Sequence, residues 1–174
     1  GNGNDIGDNE HPSANPVNGG LVALPAGRTA RSVTAGAAHT CALLDNWQVA
    51  CWGSNAWGQL GYGNGNSIGD NETPATNPVN GGLVPLPAGR TATAVVAGKF
   101  HTCAVLDNGQ LSCWGDGFAG KLGYGNQNMI GKSLTPATNP VNGGVVPLPS
   151  ERTVLSVGAG QDHTCAVLDN GSVS

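Results

Sequence analysis

Charge is what this sequence has least of. Asp, Glu, Lys and Arg make up 10% of its 174 residues, against about 25% in an ordinary soluble domain. Seven Lys and Arg against eleven Asp and Glu leave a net charge of −4, and no basic cluster interrupts the chain. Both facts speak against nucleic acid, which requires a basic footprint. No apolar run approaches the roughly 18 residues of a membrane-spanning helix, so no membrane insertion is expected. Helix formers are few, while Gly (29 residues) and Pro (11) are plentiful beside Asn and Thr. That balance reads as all-β and rich in turns. Chemistry-bearing constellations are missing too. No nucleophile–base pair or carboxylate dyad stands out, and no Gly-rich stretch opens a helix as a phosphate-cradling loop must. Neither an enzyme nor a cofactor is expected.

What the sequence has is repetition. His39-Thr40-Cys41, His101-Thr102-Cys103 and His163-Thr164-Cys165 follow one another at intervals of 62 residues. Cys51-Trp52-Gly53 recurs at Cys113-Trp114-Gly115, and Gly61-Tyr62-Gly63-Asn64 at Gly123-Tyr124-Gly125-Asn126. Asn15–Gly20 recurs at Asn77–Gly82 and Asn139–Gly144 in the same register. A fixed period of this size is the mark of a repeat architecture. The units are 1–62, 63–124 and 125–174, the last incomplete, and Gly1 matches Gly63 in mid-repeat. The expectation is a piece of something longer.

His101–Leu106 and Gln110–Trp114 read as two arms of a β-hairpin joined by Asp107-Asn108-Gly109. A glycine closing a three-residue loop suits a type I turn with a G1 bulge. In that register Cys103 faces Cys113, at a separation a disulfide accepts. Cys41 and Cys51 repeat the arrangement, whereas Cys165 is left unpaired by truncation. Paired cysteines imply an oxidising compartment, hence an extracellular or cell-surface location. Trp47 stands where the other hairpins have Gly109 and Gly171. The first hairpin therefore either holds a non-glycine residue in the left-handed region or turns differently.

Each unit offers about four short strands; in the first these are Leu21–Leu24, Thr29–Ala35, His39–Leu44 and Gln48–Trp52. Four short antiparallel strands per repeat describe a β-propeller blade. The Asn/Gly/Asp/Pro-rich stretch Gly63–Pro78 is the excess, an insertion outside the core sheet. The whole of 1–174 is then a partial β-propeller of nearly three blades. It would be closed by absent sequence or by other chains.

Val95-Val96-Ala97-Gly98, His101–Gly109, Cys113-Trp114-Gly115 and Gly58-Gln59-Leu60-Gly61 together resemble the repeat of the regulator-of-chromosome-condensation family. The resemblance runs through every repeat and is nearest to cysteine-containing versions from secreted bacterial proteins. It implies a propeller, typically of seven blades, that binds proteins through loops. Members of that family include a nucleotide exchange factor, an inhibitor of β-lactamases and scaffolding proteins. This chain departs from the pattern at Trp47, at Lys121 in place of Gln59, and in its long insertion.

His39, His101 and His163 could form a ring of ligands or bases, but a histidine at one position of every blade is expected to hydrogen-bond backbone at a blade junction. The cysteines lack the spacing of a zinc site. Trp52 and Trp114 are expected in the core between blades. Trp57 and Phe118 in loops, and Trp47 at a hairpin tip, are the candidate contact residues. Asp8, Glu10, Asp70 and Glu72 lie in oxygen-rich loops that could hold calcium. They miss the alternate-position pattern of a calcium loop, and the third copy carries Lys132, Ser133 and Leu134.

The functional expectation is a non-enzymatic extracellular module that binds a protein or surface polymer through its loops. The alternatives are a structural subunit of a disulfide-stapled surface fibre or sheath, self-associating end to end, and a secreted enzyme inhibitor.

Overall fold

The computed structural model describes residues 20–87 and 89–174. Within them run β1 (Ala30–Ala35), β2 (His39–Leu44), β3 (Val49–Gly53), β4 (Ala92–Ala97), β5 (His101–Leu106), β6 (Leu111–Gly115), β7 (Val154–Ala159) and β8 (Thr164–Leu168). They form three antiparallel sheets in the orders β1-β2-β3, β4-β5-β6 and β7-β8. The hairpin registers are those the cysteine spacing demands, with Cys41 opposite Cys51 and Cys103 opposite Cys113. Both pairs are bonded. Each first strand carries a bulge at the same place, Ala30/Ser32, Ala92/Ala94 and Val154/Ser156, which raises the local twist of each sheet.

The turn chemistry differs between hairpins as the sequence implies. Gly109 takes φ +76° and Gly171 φ +82°, and Trp47 takes φ +65°. The first hairpin thus keeps the same turn and forces an aromatic residue into the left-handed region, where a Cβ crowds its own backbone.

The regular strands number three per full sheet, one fewer than the repeat pattern suggests. Leu21–Leu24 and its copies are extended but do not form a ladder. In the second copy the N–H of Val84 donates to the Val49 carbonyl at 2.8 Å, and in the third Val146 donates to Leu111 at 2.7 Å. Pro85, Pro87, Pro147 and Pro149 flank these residues and lack the N–H that a ladder requires. Further along the same edges, Ile68 bridges Gly53 and Ile130 bridges Gly115. The fourth edge of each of the first two sheets is therefore built from two anchor points in the segment that follows it.

Other groups tie these long segments down. The Tyr62 hydroxyl accepts from the Cys51 N–H and lies 3.0 Å from the carbonyls of Cys51 and Gly82. Tyr124 repeats this with Cys113 and Gly144. Burial pushes the Tyr62 phenol up to about 12, so it stays neutral and able to donate. Sheets pack face to face through one apolar cluster that includes Cys41, Val49, Cys51, Val95, Ala104 and Trp114 and continues to Cys103, Leu111, Cys113, Val154 and Ala166. This is the all-β packing of neighbouring propeller blades, each covering what the next leaves bare.

Candidate functional site

At each junction between sheets a histidine of one unit meets a threonine of the next. His39 Nε2 lies 2.9 Å from Thr102 Oγ1, and the Thr102 hydroxyl donates to the Gln59 carbonyl at 2.9 Å. One unit later, His101 Nε2 lies 3.0 Å from Thr164 Oγ1, which donates to the Lys121 carbonyl at 2.9 Å. A hydroxyl that has given its proton to a carbonyl can only accept from the ring, so both histidines carry their proton on Nε2. Their Nδ1 atoms are buried and find no partner among the described residues.

Burial drives both imidazoles down to about 4, and at His101 the push of Lys121 is opposed by the carboxylates of Asp116 and Asp162. They are neutral structural donors. Neither ring shows the expected direct bond to backbone: the ring reaches the threonine hydroxyl, and it is the hydroxyl that reaches the carbonyl. Room for the ring comes from glycine: a Cβ on Gly36 would stand 2.3 Å from His39 Cε1, and one on Gly98 2.2 Å from His101 Cε1. His163 occupies the corresponding place against Gly160.

Trp114 is fully buried and donates Nε1–H to the same Gln59 carbonyl at 3.0 Å. Trp52, its counterpart, is partly buried and packs against the cluster of Ala42, Leu44 and Ala50. Trp114 is a core residue, and Trp52 lies at the edge of the core. Cys165 is exposed and unbonded.

The second junction holds a group that the first lacks. The Lys121 ammonium is buried and pairs with Asp116 at 2.7 Å and Asp162 at 2.8 Å. Burial pulls the ammonium down, but hydrogen bonds to the two carboxylates outweigh it and hold Lys121 above its usual range. The same bond from Lys121 holds the Asp162 carboxyl below its ordinary value. The sequence flagged Lys121 as a departure but not its partners, which are remote along the chain.

Around this clamp lie the exposed Trp57 and Phe118 and the half-buried Phe100. Trp57 stacks at a tilt on Phe100, with centroids 6.2 Å apart. The Lys99 ammonium sits over the Phe100 ring at 5.2 Å, and Lys121 is 5.9 Å from Phe118. Phe118 is 66% exposed and Trp57 44%. The Asp116 N–H donates to the Phe100 carbonyl and the Phe118 N–H to Asp116 Oδ1, which links the two loops. Lys132 reaches the same place, donating to the Ala56 carbonyl. All three lysines of the chain therefore gather at the end of the sheets from which Gly53 and Gly115 exit. Lys99 and Phe100 carry no repeat signature, so the sequence offered no signal for them.

The opposite end, at the hairpin tips, is the region of the arginines. Arg28, Arg90 and Arg152 pair with Asp45, Asp107 and Asp169, one pair per unit. Trp47 lies there, 42% exposed, with the Arg31 guanidinium 4.1 Å over its ring. It is far along the hairpin from Trp57 and Phe118 and does not join them. Asp8 and Glu10 lie outside the described residues. Asp70 and Glu72 belong to no cluster of three or more His, Cys, Asp or Glu among the described residues. No described helix is long and apolar enough to cross a membrane.

Two family models, each described as the regulator of chromosome condensation (RCC1) repeat, match the chain. One takes residues 30–59 and 92–121, the other 48–105. The chain is 29% identical over 158 residues to the X-linked retinitis pigmentosa GTPase regulator homolog of Caenorhabditis elegans, which covers 88% of this chain and 10% of that protein. It is 29% identical over 147 residues to the ultraviolet-B receptor UVR8 of Arabidopsis thaliana, covering 82% and 28%. The crystal structure of human WBSCR16 superposes with a TM-score of 0.62 at 19% identity, over 83% of this chain and 32% of that one. That of Prp20p from Saccharomyces cerevisiae does so with 0.58 at 22%, again over 83% and 32%. The chain thus spans between a tenth and a third of the length of these relatives. Matched family models, blade-like antiparallel sheets and superposition on such propellers agree: the chain belongs to the regulator of chromosome condensation (RCC1) repeat family.

Proposed function

We propose that this chain is a non-catalytic part of an extracellular β-propeller and that it binds a protein through the loop end carrying Trp57, Phe100 and Phe118. One observation carries the reading. The large aromatic side chains at this end occupy single copies of repeat positions whose other copies are small or polar. Phe118 answers to Ala56, Trp57 to Ala119, and Phe100 to Ala38 and Asp162. A side chain needed for blade packing recurs in every unit, as Tyr62 and Tyr124 do. Two exposed aromatics, Trp57 and Phe118, gathered with a half-buried Phe100 in single copies serve contact with something else, and aromatic residues are enriched at the centres of protein interfaces.

Two further facts support it. A yeast propeller of the same fold was described together with its binding to Gsp1p and histones. Two formed disulfides favour an oxidising location. The test is selection of binders from a displayed random peptide library, followed by Trp57→Ala and Phe118→Ala. Binding should weaken at least tenfold with either change and stay level with Trp47→Ala at the far end. Binders that ignore Trp57 and Phe118 and depend on Trp47 overturn the assignment.

A further inference from the structure

The loop end of the first junction carries two cations without a carboxylate of their own. Lys121, Arg28, Arg90 and Arg152 each pair with an aspartate, whereas Lys99 and Lys132 make no ion pair among the described residues. Both are single copies, like the aromatics beside them. Lys99 answers to Ala37 and Gln161, and Lys132 to Asp8 and Asp70. Asp162 feels the field of Lys99, but its ion pair is with Lys121.

The two ammonium groups bracket the aromatic pair. Lys99 Nζ stands 5.2 Å from the Phe100 centroid, and the Trp57 centroid lies 6.2 Å from that of Phe100. Lys132 Nζ donates at 3.1 Å to the carbonyl of Ala56, the residue before Trp57. That uses one of its three N–H groups and leaves two. Backbone closes the loops on each other: a Cβ on Gly58 would stand 2.6 Å from the Lys132 nitrogen, and the Gly63 N–H donates to the Gly131 carbonyl at 2.9 Å. Trp57 follows β3, Phe100 lies between β4 and β5, and Lys132 follows β6. Chain on both sides of this junction is therefore present, and Trp57 is still 44% exposed. The Arg–Asp pairs at the hairpin tips lie roughly 20 Å away along the strands, beyond the screening length of about 8 Å at physiological salt.

We propose, resting on the reading that Trp57 marks the binding end, that the partner presents an acidic polypeptide segment. An apolar side chain of that segment packs against Trp57 and Phe100, and carboxylates to either side of it reach Lys99 and Lys132. A peptide fits better than an acidic sugar because the two rings are tilted by 37°. They offer an angled notch to a side chain, not the flat face on which a sugar ring stacks. Charges at the rim of an interface fix register and exclude wrong partners more than they add affinity, so the two lysines select which segment docks.

The experiment pans displayed random heptapeptides against the immobilised 174-residue chain and keeps the binders lost on Trp57→Ala. These should carry at least two Asp or Glu flanking an apolar residue. Their dissociation constants should rise about threefold with Lys99→Gln or Lys132→Gln, and about tenfold with both. Raising NaCl from about 0.05 to 0.5 M should weaken them similarly, and Lys99→Arg with Lys132→Arg should leave them level. Circular dichroism confirms that each variant is folded as the parent is. Trp57-dependent binders that are neutral or basic, or acidic binders indifferent to both lysines, overturn the proposal and leave the reading of Trp57 standing. Binders that ignore Trp57 overturn both. Alginate, an acidic polysaccharide, is offered in parallel. If it is held through Lys99 and Lys132 while no acidic peptide is enriched, the occupant is a sugar and the peptide assignment fails.

Discussion

The two junctions share a backbone and differ in their side chains. Both run histidine to threonine to carbonyl, and the distances agree within 0.1 Å. Yet three positions change together between them: Ser54, Gln59 and Phe100 at the first become Asp116, Lys121 and Asp162 at the second. The first triad is neutral. In it the Gln59 Oε1 accepts from the Trp57 N–H, while its Nε2 is buried without a described partner. The second is ionic, with one buried ammonium between two carboxylates. A lone Lys for Gln change would strand a charge where desolvation costs several kcal/mol. The difference teaches that the relay of hydrogen bonds holds blades together, while the rim beside it is free to vary if charge is balanced across the junction.

The largest expected effect comes from emptying the first junction. Trp114→Ala removes the indole that fills it and should cost about 3–5 kcal/mol, as large aromatic truncations in cores do. Urea unfolding followed by tryptophan fluorescence measures it. A loss below about 1 kcal/mol would mean that the first junction does not depend on its indole.

Next comes Lys121. Lys121→Met leaves Asp116 without its cation, and about 2–3 kcal/mol of stability should go, less than for a fully enclosed pair because Asp162 is half exposed. The sharper test converts one junction into the other. Lys121→Gln with Asp116→Ser and Asp162→Phe reproduces the first triad and should lie within about 1 kcal/mol of the parent, since neighbours in one network do not add. If the single and triple changes lose equal stability, the three positions are not coupled.

Much of this was legible in the sequence because repetition and cysteine spacing are local signals. The hairpin register followed from the Asp107-Asn108-Gly109 turn, which sets Cys103 opposite Cys113, and the place of Trp47 among two glycines marked a hairpin that is either strained or differently turned. The missing fourth strand was harder to see, since Leu83–Leu86 is as apolar as a strand and only its prolines betray the lost donors. The site resisted more. Lys121, Asp116 and Asp162 meet because successive units pack face to face, and nothing near residue 162 announces a partner at residue 121. Phe100 likewise joins Trp57 only across a junction. Loop aromatics could be named from the sequence, but their grouping is a tertiary fact.

The smallest effect separates the junctions by pH. His39 and His101 are held at about 4 in the folded chain and return to about 6.5 when unfolded. Between those values the unfolded chain binds protons that the folded chain refuses, so stability falls as pH drops from 6.5 and levels off below about 4. At pH 5.5 the loss should be about 1 kcal/mol for each histidine. Among the described residues His39 is paired electrostatically with His101 alone, neutral like itself above about pH 4, whereas His101 also faces Lys121, Asp116, Asp162 and His163. The carboxylate at Asp162 is held low by Lys121, so its stabilisation persists at pH 5.5 and is lost only in more acid solution. Nuclear magnetic resonance of the ring protons should therefore find both buried imidazoles neutral at pH 5.5, as Nε2–H tautomers, while the urea midpoint has already moved down from its value at pH 7. Lys121→Gln should disturb the titration of His101 and leave that of His39 in place. A buried ring that titrates near 6.5 in the folded chain would break the relay at that junction, because a protonated imidazole has a second N–H and no described acceptor for it.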